Sequence, residues 1–123
     1  MGIFGGLSTP LGEKVDKTVI AKGTRVTGVI HTDILLMIDG EMEGEVHSSS
    51  NVSISVNGAY RGKISAKHIT VSGRMEGDIR CERLEILKNG VVNGEAVVRE
   101  LTVEPGGRFF GQSSEAKPAE SGA

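Results

Sequence analysis

Apolar and polar residues alternate along most of this chain in short runs, and the runs return at a nearly constant interval. One position of each run holds a large side chain, in the set Val26, Met42, Tyr60, Met75, Val92 and Phe109. Four positions later lies a second apolar set, Ile30, Val46, Ile64, Ile79 and Ala96. Two positions further lies a smaller set, Thr32, Ser48, Ala66, Cys81 and Val98. Period-two alternation predicts short β-strands with these residues facing inward.

Paired glycines mark the repeat. The six pairs are Gly23/Gly28, Gly40/Gly44, Gly58/Gly62, Gly73/Gly77, Gly90/Gly94 and Gly107/Gly111. The second glycines advance by 16, 18, 15, 17 and 17 residues, a mean of 83/5 or about 17. This length suits one coil of a β-solenoid with about three short strands, because a propeller blade needs ~40–50 residues. Tight corners favour glycine, so the sequence predicts about six coils with glycine corners.

The outward and remaining inward positions fit the same alignment. Four residues before the first glycine of each pair lies a further set that we expect to face inward: Val19, Leu36, Ile54, Ile69, Ile86 and Val103. Charges beside the second glycine alternate in sign in two columns, Glu43–Arg61–Glu76 and Glu45–Lys63–Asp78. Equivalent residues of a parallel solenoid stack about 4.8 Å apart, so opposite charges in one column favour this register.

Composition narrows the function classes. Glycine is frequent (18 of 123 residues) and aromatic residues make up 3 %, so the core must be thin and aliphatic. The net charge of −2 is unlike the basic footprint of a nucleic-acid-binding protein. A single cysteine excludes an internal disulfide and a CxxC site. No apolar run reaches the ~18 residues of a membrane span, and we find no signal peptide or myristoylation motif. We therefore expect a cytoplasmic protein.

Candidate catalytic residues are few. His31 and His47 occupy equivalent outward positions on adjacent coils, about 5 Å apart, and could share a metal, but solvent-exposed structural histidines are the simpler interpretation. His68 is out of phase with them. Cys81 occupies an inward column without a neighbouring base, as expected for a buried structural thiol. No phosphate-binding loop of the G-x-x-x-x-G-K-[ST] or G-x-G-x-x-G type occurs. We expect no enzyme activity, no cofactor and no catalytic or metal site.

The sequence resembles the bactofilins, bacterial polymer-forming cytoskeletal proteins. The resemblance is carried by six phased G-x-x-x-G units over residues 17–111, including Ile38–Val46 and Ile69–Ile79. It implies an all-β, single-domain, right-handed parallel β-helix, assembled into non-polar filaments that need no nucleotide. It further implies a position on the inner face of the cell membrane, a role in cell shape or in placing cell-wall-modifying enzymes, and other scaffold proteins as partners.

Both flanks lack the repeat, and we expect them to be flexible tails. Residues 1–16 carry no glycine pair in phase, and residues 112–123 are small, polar and unpatterned. The first tail nevertheless holds apolar side chains, namely Met1, Ile3, Phe4 and Leu7. They could pack loosely against the first coil, but together with the resemblance they favour a membrane contact. A filament that displays many such tails would bind lipid by avidity.

The two ends of the solenoid are the expected polymerisation interface. An uncapped end exposes unpaired backbone groups and a slice of core. The residues that we assign to these ends are Phe109, Phe110, Leu101 and Val103 on the C-terminal side, and Val19, Ile20, Val26 and Ile30 on the N-terminal side. Two alternatives remain open. One is a small solenoid that binds a partner without polymerising, and the other is an enzyme of the carbonic-anhydrase or acyltransferase type.

Overall fold

A computed structural model describes residues 16–115 of the chain. These residues form ten β-strands and, within this range, no helix. The strands are β1 (Lys17–Ile20), β2 (Arg25–Thr32), β3 (Leu35–Ile38), β4 (Glu41–Ser48), β5 (Asn51–Ile54), β6 (Ala59–Ser65), β7 (His68–Val71), β8 (Arg74–Ile86), β9 (Val91–Val103) and β10 (Arg108–Glu115). Every pair of neighbouring strands is parallel.

The strands wind into a parallel β-solenoid of about six coils, which confirms the predicted fold class. Each coil has one short side, formed by β1, β3, β5, β7 and the C-terminal parts of β8 and β9. A longer strand forms the rest of the coil and bends at a glycine with positive φ, such as Gly44 (137°) or Gly62 (132°). L-residues rarely adopt this conformation, so the second glycine of each pair fixes a corner between two sides.

Register places the main inward column as predicted. Val26 lies beside Met42, Met42 beside Tyr60, and the column continues through Met75, Val92 and Phe109. Apart from the first and last coils its members are buried, and the core around them is aliphatic. Cys81 is buried within the smaller column, between Ala66 and Val98. The core is therefore one side chain deep on each side of the coil, as the low aromatic content indicates.

One predicted inward residue is wrong. Val19 lies beside Met37 on an outward face and is 43 % exposed, whereas Ile20 next to it is buried. The cause is that Gly23 is not equivalent to the first glycine of the other pairs. The corner after Ile20 ends at Thr24, as the corner after Ile54 ends at Gly58. Counting back four residues from Gly58 therefore reaches the buried Ile54, whereas counting back from Gly23 reaches the outward Val19.

The last strand is longer than the sequence pattern indicates. β10 continues to Glu115, four residues beyond Gly111, and Gln112 pairs with Glu95 in parallel register. Gln112, Ser113 and Ser114 are polar, and they are held in the strand by parallel pairing with Glu95, Ala96 and Val97 of β9. The polar composition of this segment therefore gave no strand signal.

Candidate functional site: the two ends of the solenoid

The C-terminal end exposes residues of the core. Leu101, Val103 and Phe109 continue inward columns, with Val103 directly beside Ile86 and Phe109 beside Val92. Val103 is 43 % exposed, whereas Ile86 is fully buried in the same column. Leu101 and Phe109 are half-buried and pack against the core. These three side chains thus form an apolar slice that no further described coil covers.

The backbone at this end is also open. β10 pairs with β9, and the last part of β9 pairs with β8, but neither has a second neighbour among the described strands. An edge of this kind presents a row of N–H and C=O groups that can pair with another chain. The C-terminal end therefore combines apolar surface with unused hydrogen-bonding capacity.

Phe110 lies on a side of the solenoid and not in the slice. It is 51 % exposed and pairs with Asn93, in the outward column that contains Arg61 and Glu76. The structure separates it from Phe109, whereas the sequence predicts both in the same interface. Phe110 can contribute only at the rim of an end-to-end contact.

The N-terminal end exposes less of its inward side chains than the C-terminal end does. Ile20 is buried, and Val26 and Ile30 are half-buried against the core. Val19 is placed on the lateral face, away from these three. The structure therefore brings Ile20, Val26 and Ile30 together at the first coil and leaves out the fourth predicted residue.

The remaining predicted contact, the membrane-binding set Met1, Ile3, Phe4 and Leu7, lies outside the described residues. Between residues 16 and 115 the chain contains no helix long and apolar enough to cross a membrane.

The two candidate ligand histidines are stacked. The ring centroids of His31 and His47 are 4.9 Å apart at an interplanar angle of 18°, which confirms their predicted separation. His47 Nε2 lies 3.1 Å from Glu45 Oε1. No group of three or more possible metal ligands occurs in the part of the chain that is described. The two rings stack because the parallel register places equivalent residues of adjacent coils side by side, as in the other outward columns.

Burial shifts the pKa of two groups in the core. Burial, with a smaller contribution from Glu82, raises the pKa of the Cys81 thiol to about 12. Burial also raises the pKa of Tyr60, with a further contribution from Glu45. The Tyr60 hydroxyl donates to the backbone carbonyl of Lys63 and also lies 3.1 Å from the carbonyl oxygen of Gly44. A thiol held protonated is a poor nucleophile, so Cys81 has the properties of a buried structural residue. The Tyr60 hydroxyl is held by its backbone hydrogen bonds.

Ion pairs follow the predicted charge alternation only in part. Arg61 Nε lies 3.2 Å from Glu76 Oε1, across adjacent coils. The other predicted column gives no ion pair, since Lys63 has no carboxylate within 4 Å among residues 16–115. Sequence reasoning missed two further ion pairs, which also join directly paired residues of adjacent coils. They are Arg25–Glu41 at 3.0 Å and Arg83–Glu100 at 2.8 Å. All are exposed, and exposed pairs contribute up to about 1 kcal/mol each.

Sequence reasoning also missed a position at the N-terminal end. The residue just before each long strand is glycine in five coils, namely Gly40, Gly58, Gly73, Gly90 and Gly107, and Thr24 in the first. The signal was present in the spacing, because Gly23 and Gly28 are five residues apart and the other pairs four. Gly23 is thus aligned with Asn57 and Asn89, and Thr24 takes the glycine position.

Comparisons with known proteins agree with this architecture. The bactofilin family model, described as polymer-forming cytoskeletal, matches residues 18–114. The chain is 26 % identical over 99 residues to Bactofilin BacP of Myxococcus xanthus (strain DK1622), which covers 80 % of this chain and 41 % of that protein. The chain thus spans less than half the length of this relative. No solved structure shows significant similarity to it. A match over nearly the whole solenoid shows that the chain belongs to the bactofilins, a family of polymer-forming cytoskeletal proteins.

Proposed function

We propose that this protein is a structural scaffold whose subunits join end to end into non-polar filaments without nucleotide. The observation that carries the proposal is the exposed core slice at the last coil. In one inward column Ile38, Ile54, Val71 and Ile86 are each 0 % exposed, and Val103 is 43 % exposed. A second subunit against this end would bury the exposed side of Val103, as the following coil buries the equivalent residue in each earlier coil.

The free energy expected from burying this slice is compatible with assembly at micromolar concentration. Fully burying an aliphatic or aromatic side chain contributes roughly 1.5–3 kcal/mol. Three partly exposed side chains therefore contribute about 2–5 kcal/mol per subunit, and a two-fold contact doubles this. Micromolar affinity needs about 8 kcal/mol, and association has an entropic cost. Backbone pairing along the open edges supplies a further contribution, so both features of the end are needed.

Assembly set by such a junction depends on concentration alone. Its parts are apolar side chains and backbone edges, which are present in every folded subunit. Electron microscopy of the purified protein without added nucleotide or metal should show filaments. A protein that stays monomeric at high concentration would contradict the proposal and favour a binding module that does not polymerise.

We further propose that the filaments lie on the inner face of the cell membrane, through the apolar N-terminal residues Ile3, Phe4 and Leu7. Deleting residues 1–7 should abolish co-sedimentation with lipid vesicles while filaments still form. Replacing only these three residues by serine is a control for chain length and should have the same effect. A truncated protein that pellets with vesicles as well as the full chain would show that another surface binds lipid. From this position the filament would influence cell shape or hold cell-wall-modifying enzymes.

A further inference from the structure

The first coil differs from all later ones at the residue that precedes the long strand. Thr24 occupies the backbone place that glycine occupies elsewhere. Its carbonyl accepts a hydrogen bond from Glu41 N at 2.9 Å, as the carbonyl of Gly58 accepts one from Arg74 N at 3.1 Å. Only in the first coil, among those described, does this place carry a side chain.

Glycine is required there in the later coils because of space. None of the five glycines has a positive φ, so the backbone conformation does not demand glycine. A Cβ at Gly58 would lie 2.1 Å from the carbonyl oxygen of Ile38, and one at Gly90 would lie 2.2 Å from that of Val71. In each case the obstacle is the backbone of the preceding coil, which cannot give way as a flexible side chain can.

We propose that Thr24 prevents the C-terminal end of one subunit from stacking in register on the N-terminal end of the next, and so keeps the filament non-polar. The inference rests on the proposed end-to-end assembly. In a head-to-tail contact the last coil of one copy would take the place of the coil that precedes Thr24. The side chain of Thr24 would then meet backbone, as a Cβ does in the later coils.

The matched case within the chain is Gly107. Gly107 ends a corner of four residues, 104–107, which stacks on another corner of four residues, Leu87–Gly90. A head-to-tail junction would likewise stack two four-residue corners, because corner 21–24 of one subunit would lie on corner 104–107 of the next. A Cβ at Gly107 would lie 2.9 Å from the carbonyl oxygen of Leu87 and 3.0 Å from that of Ile86. Threonine adds two further heavy atoms to that Cβ. The threonine side chain therefore does not fit against a preceding coil in register.

A two-fold junction avoids this conflict. When two N-terminal ends face each other, equivalent strands run antiparallel, and the parallel register that brings the carbonyl to this position does not arise. Thr24 thus discriminates between two ways of joining the same ends, by excluding the unwanted contact.

Cysteine cross-linking tests this directly. Lys17 and Glu100 are exposed and belong to one outward column, which runs through His68 and Arg83. In a head-to-tail junction they would be neighbours at the spacing of paired parallel strands, within reach of a disulfide. Subunits with Lys17→Cys are mixed with size-tagged subunits with Glu100→Cys, allowed to polymerise and oxidised. A mixed dimer of these two reports a head-to-tail junction, and the native thiol of Cys81 is buried.

We expect no mixed dimer above the level of unassembled subunits when Thr24 is present. In Thr24→Gly subunits we expect at least about a tenfold rise, because relieved overpacking changes equilibrium constants by such factors. Thr24→Val keeps the branched side chain and should behave as the original. Thr24→Gly should fold, since glycine occupies this place in every later coil.

The inference would be overturned if the yield of mixed dimer were the same with threonine and with glycine at position 24 while the Thr24→Gly protein still formed filaments. Electron microscopy of the same samples separates this from failure of the proposed function. Filaments with unchanged cross-linking refute only the role of Thr24, whereas the absence of filaments from all samples refutes end-to-end assembly and this inference with it.

Discussion

The glycine at the bend of an internal coil has two separate reasons to be glycine, and two substitutions can separate them. Gly62 has a φ of 132°, and a Cβ built on it would lie 2.0 Å from the carbonyl oxygen of Gly44. Gly28 has a similar φ of 142°, but a Cβ there meets nothing within 4 Å. Gly28→Ala thus tests backbone strain alone, and Gly62→Ala tests strain and steric conflict together.

Strain at a residue forced into such a conformation costs about 1–3 kcal/mol. Overpacking against rigid backbone adds about 1–3 kcal/mol. We therefore expect the free energy of unfolding to fall by about 1–3 kcal/mol in Gly28→Ala and by about 2–6 kcal/mol in Gly62→Ala. Urea denaturation of both variants measures these free energies of unfolding. Both substitutions are made in the Phe109→Arg protein at low concentration, where we expect monomers. Equal losses at the two sites would refute the claim that close stacking of coils, and not φ alone, requires glycine.

Three other predictions concern the stacked histidines and the buried cysteine. Replacing His31 and His47 together by glutamine should leave folding and assembly unchanged, within about 0.5 kcal/mol for exposed residues; loss of structure together with a bound metal would show that the stack is a metal site. Cys81 should react with iodoacetamide at pH 8 only when the protein is unfolded, and rapid labelling of the native protein would contradict its burial. Because burial raises the pKa of the Cys81 thiol from its ordinary 9.0 to about 12, the folded state binds more protons than the unfolded state between these pH values. Stability should fall as pH rises through this range, and Cys81→Ala should reduce the slope.

The repeat made the fold predictable from the sequence. Period-two alternation and phased glycines determine coils, corners and the inward column from Val26 to Phe109, since a solenoid uses the same local geometry in each turn. The prediction for Val19 is wrong because Thr24, and not Gly23, occupies the glycine position of the first coil, so that counting back from Gly23 reaches the residue before the buried Ile20. Residues 112–115 form a strand through backbone pairing alone, so no hydrophobic pattern marks them.

The candidate site was only partly predictable, for a related reason. Leu101, Val103 and Phe109 could be placed at one end because they belong to the last copy of inward columns. The prediction for Phe110 is less accurate, because adjacent aromatic residues look equivalent in sequence but point to opposite faces of a strand. The proposed role of Thr24 depends on how closely the backbones of neighbouring coils approach, and the sequence pattern does not show that distance.

End-to-end assembly through the exposed core slice is tested most directly by sedimentation of two matched variants, Phe109→Arg and Phe110→Arg, over a concentration series. Phe109→Arg places an unpaired charge in the end slice, at a cost of several kcal/mol in the junction, while the preceding coils still fold. We expect dimers through the remaining N-terminal contact, or monomers at low concentration. Phe110→Arg adds a charge to a side column that already contains Arg61 and Glu76, and it should still form filaments. Normal long filaments from Phe109→Arg would contradict the claim that this end joins subunits, and monomers at every concentration would contradict a non-polar filament.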